Sequence, residues 1–218
     1  TIVLPCYNEA HRLGLSLPEL FLWRKSFETS HNCLVKILLA NDGCTDGTLD
    51  LAKKLAEGEK NFDIVGYANN QGRGAVLKVS FLAATPHSSF VLYMDSDLAT
   101  DLRHVHDVWS LYKKQSKNLM VCGNRYFPGN NLVRPPLRKA WSWGWRKFLS
   151  VLFWQKLPDT QCGFKALSHD LIDPIMKQLE IKGFVADVEM VLRAKELNAD
   201  IKSINIQWVE KKGSTIRW

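Results

Sequence analysis

The sequence predicts an α/β protein built on a mostly parallel sheet, and three observations carry that prediction. Short apolar runs ("TIVLP", "LVKILLA", "FDIVGYA", "SSFVLYM") alternate with helix-patterned stretches, the order expected of strands joined by crossover helices. Each run ends in a loop rich in polar turn residues, and open sheets of this kind bind ligands beyond the C-terminal ends of their strands. In "FVLYMDSDLATD" an apolar strand delivers Asp95, Asp97 and Asp101 within seven positions. Like charges repel at close range, so carboxylates gathered at a strand end point to a cation that needs them.

"TIVLP" is the first buried strand, followed by "CYNEA" and a helical stretch to about Ser30. "LVKILLA" is the second and runs into the turn "NDGCTDGT". Thr45 or Asp46 there can cap the helix "TLDLAKKLAE", because a side-chain oxygen accepts from an orphan N–H. "FDIVGYA" is the third strand, after which "NNQGRGA" opens the helix "AVLKVSFLAA". "SSFVLYMDSD" is the fourth. After Arg103 the pattern loosens. "NLMVCGNR" reads as a strand and "FPGNNLVRPP" as a turn-rich break; "DTQCGFKALS" receives no element of its own and is followed by a helix, then "GFVADVEMVLRAKEL" reads as a helix and "IKSINIQWVE" as a strand. The second half is expected to extend the same sheet, giving a single domain over 1–218.

The 218 residues are 46% hydrophobic, enough for one core, and show no repeat. The longest apolar runs fall short of the ~20 residues of a membrane span. The chain begins at Thr1 rather than Met, so a signal, anchor or other upstream segment is expected to have been removed or left out. Five cysteines make an odd count with no C-x-x-C pair, which argues against a disulfide framework or zinc site and fits a reducing compartment. The formal charge of +7 favours an anionic partner: nucleic acid, phospholipid or a phosphorylated substrate.

Asp95 and Asp97 straddle one residue. On a strand, i and i+2 face the same side, so both could meet one hard cation, Mg²⁺ or Mn²⁺; the alternative is a solvated acidic turn capping the next helix. Asp42 could accept hydrogen bonds from a base or ribose, and Gly43 could let a ring approach the backbone, unless "NDGCTDGT" is an ordinary turn. "NNQGRGA" lacks the third glycine of a dinucleotide loop and follows the third strand, not the first, which leaves Arg73 as a diphosphate contact. His104 and His106 lie in a helical stretch where i and i+2 diverge, so both are expected at the surface.

"IVLPCYNEA", "NDGCTDGT", "NQGRGA", "MDSDLATD", "GNR", "DTQCGFKALS" and "FVADVE", in that order across nearly the whole chain, resemble glycosyltransferase family 2, whose catalytic domain has the GT-A fold. "DTQCGFKALS", the acidic "DVE" and "IQWVEKKGS" look most like the polyprenyl-phosphate hexose synthases, and within them the dolichyl-phosphate glucosyltransferase branch.

That resemblance implies an inverting transfer of a hexose from a nucleotide sugar (UDP-glucose favoured, GDP-mannose possible) to a polyprenyl or dolichyl phosphate. The place implied is a membrane surface, the cytoplasmic face of the endoplasmic reticulum if the source is eukaryotic. Residues 1–103 would be the nucleotide-sugar half and 104–218 the acceptor half. Pro5, Tyr7, Glu9, Asp42 and Arg73 would line the donor site, and Asp95 and Asp97 would serve diphosphate and metal as the catalytic pair. Arg125, Arg138 and Ser142 would hold the acceptor phosphate, and Gln161, Asp187 and Glu189 would position sugar or acceptor. Two positions depart from the family. Asn41 stands where "DDGS" would place an acid, and Ala99 stands where some mannose synthases carry a Gln ligand.

A lipid acceptor also gives "LRKAWSWGWRKFLSVLFWQKL" a purpose. Trp141, Trp145, Phe148 and Leu152 recur at helical spacing, interleaved with Arg138, Lys139, Arg146 and Lys147, as in an interfacial helix over about 137–157; the alternative is a core helix with basic ends. A family 2 enzyme with a saccharide acceptor would need a carboxylate base, for which Asp187 or Glu189 could serve. A nucleic-acid-binding module would spread its aromatics and cations along an exposed sheet or recognition helix, whereas here they crowd into one segment, so no nucleic acid is expected.

Overall fold

The computed structural model describes residues 1–127, 144 and 159–211. Arg138, Ser142 and, apart from residue 144, the segment expected to form an interfacial helix lie outside the described residues.

In chain order the elements are β1 (Ile2–Cys6), α1 (Ala10–His31), β2 (Ile37–Asp42), α2 (Thr48–Leu55), β3 (Phe62–Tyr67), α3 (Arg73–Ala84) and β4 (Phe90–Met94). They continue with α4 (Arg103–Lys114), β5 (Leu119–Asn124), β6 (Phe164–Ser168), α5 (His169–Gln178), α6 (Ala186–Glu196) and β7 (Asp200–Asn205). The strands form one sheet in the order β3-β2-β1-β4-β6-β5-β7. Every pairing is parallel except those of β6, which runs antiparallel to both β4 and β5.

Alternation along the central strands splits the core into two layers. Ile2, Leu4, Leu92 and Met94 face α1 and α4 on one side of the sheet. Val3, Val91 and Tyr93 face α3, α5 and α6 on the other. Burial on both faces explains why these strands read as near-continuous apolar runs. Strand β6, "FKALS", was not recognised, because Lys165 interrupts its apolar pattern; yet Lys165 is fully buried.

Strand order places the functional crevice. The chain steps outward from β1 to β2 and β3, then crosses back to lay β4 on the other flank of β1. Ligands of open α/β sheets bind where the order reverses, beyond the strand C-termini. Here those termini deliver Cys6 through Glu9 from β1 and Asp95 through Asp97 from β4.

Two sequence expectations are corrected. His104 is buried, not at the surface: α4 turns it onto the core, its Nδ1 lies 2.8 Å from Asp107, and its Nε2 accepts the Gln207 N–H. Asp95 and Asp97 do not share a strand face, because β4 ends at Met94. A turn gathers them instead: the Asp95 carbonyl accepts the Leu98 N–H (3.1 Å), and Leu98 adopts φ +51°.

Candidate active site

Each carboxylate of the pair is held by an arginine from another element. Asp95 Oδ1 accepts from Arg73 Nη2 at 2.9 Å, at the start of α3. Asp97 Oδ2 accepts from Arg12 Nη1 at 2.7 Å, in the first turn of α1, and its Oδ1 accepts the Ala99 N–H. Arg12 also pairs with Glu9. The Ser16 hydroxyl donates to the Ser96 carbonyl at 2.6 Å and so fastens α1 to the turn between the two acids. Gly163 closes the site from below. Its carbonyl accepts the Asp95 N–H, and a Cβ there would strike the Asp95 carboxylate.

Behind Asp95 the polar contacts continue into the core. Arg73 Nε lies 3.5 Å from Asp187 Oδ2, and its guanidinium sits over the Tyr93 ring. Asp187 accepts from the Tyr93 hydroxyl and from Lys165 Nζ (3.0 Å). Lys165 donates as well to the Cys162 carbonyl (2.7 Å) and the Tyr93 oxygen (2.9 Å). Burial pushes Asp187 up to about 7, against the pull of Arg73, and pushes Lys165 down to about 8. For Arg73, burial disfavours the charge, but Asp95 and Asp187 hold it above the usual arginine value.

Charge is unbalanced at the mouth. Among the described residues Glu9, Asp95 and Asp97 form ion pairs with Arg12 and Arg73, three carboxylates against two guanidiniums. Burial and then the Asp95 charge raise the Asp97 carboxyl. Burial raises Glu9, with Arg12 opposing and Asp97 and Asp95 adding to it; Glu9 Oε2 is buried without a hydrogen-bond partner. Among the described residues no three acidic, His or Cys groups converge into a complete metal cage. Two hard oxygen donors in a region of excess negative charge nonetheless fit a hard divalent cation whose other ligands come from a bound diphosphate.

In β1 Pro5 is buried, and just beyond the strand Tyr7 is exposed. Asp42 accepts the Gln71 N–H (2.7 Å), the Gly72 N–H (3.0 Å) and Asn70 Nδ2 (3.0 Å), and so holds the loop that leads into Arg73. Gly43, at φ +77°, does permit a close approach, but the group that approaches is the Asn69–Asn70 backbone, not a ring. Asn41 has a structural reason to be neutral: its amide donates to the Tyr67 carbonyl while its oxygen accepts the Cys44 N–H, and a carboxylate could not do both. The N-cap of α2 is Gly47, not Thr45 or Asp46; Asp46, one position outside it, accepts the Thr48 N–H at 3.1 Å.

Residues 1–175 match the family model described as glycosyl transferase family 2. The chain belongs to that family. Similar curated proteins include glycosyltransferase AglD of Haloferax volcanii, 29% identical over 221 residues, covering 99% of this chain and 34% of that protein. The dolichyl-phosphate beta-glucosyltransferase of Dictyostelium discoideum is 29% identical over 225 residues, covering 99% of this chain and 68% of its own. The chain thus spans about a third of the first relative and about two thirds of the second. Among solved structures, glucosyl-3-phosphoglycerate synthase from Mycobacterium tuberculosis, in complex with Mn²⁺, UDP and glucosyl-3-phosphoglycerate, superposes with a TM-score of 0.65. Identity there is 16%, covering 98% of this chain and 71% of that one. The expected GT-A architecture is the one observed.

Beyond β5, Arg125 makes a two-pronged pair with Asp159, through Nε (2.7 Å) and Nη2 (2.9 Å), and stacks near Trp208. Burial opposes its charge, but Asp159 holds its pKa well above the ordinary arginine value. Gln161 is exposed in the turn before β6. Glu189 and Asp187 serve different ends. Glu189 accepts the Glu180 and Ile181 N–H groups (3.1 and 2.8 Å), fixing the loop whose Lys182 carbonyl receives the Gly74 N–H. Asp187 joins the Arg73 network. Sequence reasoning missed Arg12, Ser16, Tyr93, Asp159, Gly163 and Lys165. The available signals were Arg12 three residues after Glu9 on a helix and a lysine inside an apolar run, which needs a buried partner.

Proposed function

We propose that this family 2 chain transfers a hexose, glucose favoured, from a nucleotide diphosphate sugar to a polyprenyl or dolichyl phosphate at a membrane surface, with inversion. The observation that carries the reading is the crevice between the C-terminal ends of β1 and β4, where Asp95 and Asp97 are each fixed by a guanidinium. The Dictyostelium relative's name supports glucose and dolichyl phosphate, and the mycobacterial complex supports UDP and Mn²⁺. In this reading, Asp95 and Asp97 would hold Mg²⁺ or Mn²⁺, which when bound supplies stabilisation of charge on the departing diphosphate. Arg12 and Arg73 keep the two carboxylates in place before the donor arrives. Tyr7 offers a ring face at the donor mouth, and Asp42 positions the loop carrying Arg73.

A phosphate acceptor is already anionic near neutral pH and needs no strong base. That suits a site in which neither candidate base is available: Asp187 is enclosed by Tyr93, Lys165 and Arg73, and Glu189 by backbone N–H groups. Arg125, with Arg138 and Ser142 beyond the described residues, is assigned to the acceptor phosphate, and the whole of 1–218 to one catalytic domain. Membrane contact is assigned to 137–157; no helix among the described residues is long and apolar enough to cross a membrane. The test is a donor screen, UDP-glucose beside GDP-mannose, with dolichyl or undecaprenyl phosphate in detergent, scored as lipid-linked hexose. Transfer to soluble oligosaccharides with none to lipid phosphate would defeat the proposal.

A further inference from the structure

Two thiols that the transfer reaction does not use lie against each other at the nucleotide side of the crevice. Cys6 ends β1, Cys44 sits in the turn after β2, and their Sγ atoms are 3.8 Å apart. The placement follows from strand register: β1 pairs Cys6 with Asn41 of β2, and Asn41 holds the Cys44 N–H at 2.9 Å, folding the turn back over the strand end. Cys6 is buried, while Cys44 is half-buried and flanked by Asn8 and Thr45. We propose that Cys6 and Cys44 form a thiol modification site, a reversible disulfide closed by exchange with a small-molecule disulfide of the glutathione class.

The two sulfurs are equipped for different halves of that exchange. Cys44 is the attacking thiol. The hydrogen bond from Cys6, opposed by burial and the nearby Asp46 and aided by the Asn8 N–H and Thr48, holds it at about 7. A lowered pKa gives Cys44 more thiolate at neutral pH than an ordinary cysteine, and of the two sulfurs it is the more exposed. The same bond and burial push Cys6 up, which makes it the proton donor in the resting pair. The other three cysteines are internal controls: burial raises Cys33 and pushes Cys122 and Cys162 to about 11 and about 12.

In the first step the Cys44 thiolate attacks one sulfur of the external disulfide, forming a mixed disulfide and releasing one small thiolate. In the second, Cys6 gives its proton to that thiolate and attacks Cys44 Sγ, and the second small thiolate leaves and takes a proton from solvent. The pair loses two electrons, and the external disulfide is reduced to two thiols. Closing from 3.8 Å to a covalent S–S bond of about 2.05 Å draws the 43–45 turn toward β1, beside Tyr7 and Asp42. The further consequence, weakened UDP binding, rests on the proposed placement of the nucleotide at those residues.

The test incubates the purified chain with oxidised glutathione at neutral pH, followed by intact mass, peptide mapping and calorimetric titration with UDP. Expected are the loss of two free thiols of the five, a Cys6–Cys44 linked peptide, and a fall in UDP affinity of about tenfold or more that dithiothreitol reverses. In Cys44→Ser, and in Cys44→Ala as a second variant, the remaining thiols stay free and oxidised glutathione no longer shifts UDP affinity. A glutathione adduct persisting on Cys44 with Cys6 free, or oxidation of Cys33 at the same rate, would overturn the proposal. A linked pair that leaves UDP affinity unchanged would sustain the thiol site and overturn the placement of the nucleotide.

Discussion

A single methyl group at residue 163 tests whether the position of the Asp95 carboxylate matters. Built on the Gly163 backbone, a Cβ meets both Asp95 carboxylate oxygens and their carbon inside contact distance. The residue cannot simply back away, because its carbonyl receives the Asp95 N–H at 3.1 Å. The carboxylate therefore swings off Arg73, losing a charge-assisted hydrogen bond of about 1.5–3 kcal/mol, with roughly 1–3 kcal/mol of overpacking absorbed as it moves. Because the nearest atoms such a Cβ meets all belong to the Asp95 carboxylate, stability should fall by no more than about 1–3 kcal/mol. If transfer needs the carboxylate where Arg73 holds it, turnover should fall by about one to two decades. Gly163→Ala is assayed for hexose transfer and thermal melting beside Gly183→Ala, where a Cβ meets nothing within 4 Å. Wild-type turnover in Gly163→Ala, or an equal loss in Gly183→Ala, refutes the reasoning.

Asp97→Ala should abolish transfer while the protein stays folded, and chelation should reduce wild-type turnover; an active Asp97→Ala with Mn²⁺ present removes the metal assignment. Arg125→Ala should impair use of lipid phosphate more than UDP binding, and should also lower stability by about 3–5 kcal/mol, because it strands the buried Asp159. Equal damage to UDP binding would place Arg125 on the wrong side of the site. Burial raises Asp187 from 3.8 to about 7, so its contribution to stability is complete below the unfolded value and lost as pH rises through about 7. The urea stability of Asp187→Asn should therefore gain on wild type between about pH 4 and 7, and a gap moving the other way contradicts the burial argument. Replacing Trp145 and Phe148 with Ser should weaken liposome binding and activity on long-chain acceptors but not on short prenyl phosphates; unfolding in the double variant would instead mark a core helix.

The parallel half of the sheet was legible because strands buried on both faces carry uninterrupted apolar runs, and because loops of turn residues mark their ends. The same logic failed at β6, where Lys165 looks like a break. A lysine can occupy a strand interior only when carbonyl, hydroxyl and carboxylate partners converge on it, and those partners, Cys162, Tyr93 and Asp187, lie 3, 72 and 22 residues away in sequence. The candidate site was legible as a list of acids but not as an assignment of their hydrogen-bond donors. Asp42 and Glu189 were expected to face a ligand, yet backbone N–H groups of neighbouring loops engage both. Nothing in a one-dimensional pattern says whether a carboxylate faces a ligand or the chain itself.

That distinction bears on how the site can work. Acids left to repel one another would relax apart or take up protons, and a donor would then have to reassemble them on binding. Here Arg12 and Arg73 each neutralise one member of the pair, and each is fixed in turn by a second carboxylate, Glu9 for one and Asp187 for the other. The two arginines leave the three acids Glu9, Asp95 and Asp97 one positive charge short; burial above all raises the Asp97 and Glu9 carboxyls, with the neighbouring carboxylates adding to it. On the proposed function, a diphosphate and its cation would nearly cancel each other, so a donor could enter without upsetting that balance, and the acids would not need to move to receive it. Preorganised charge of this kind incurs no rearrangement at the moment of bond breaking. On this argument Arg12, absent from every motif reading, should matter to turnover as much as Arg73 does.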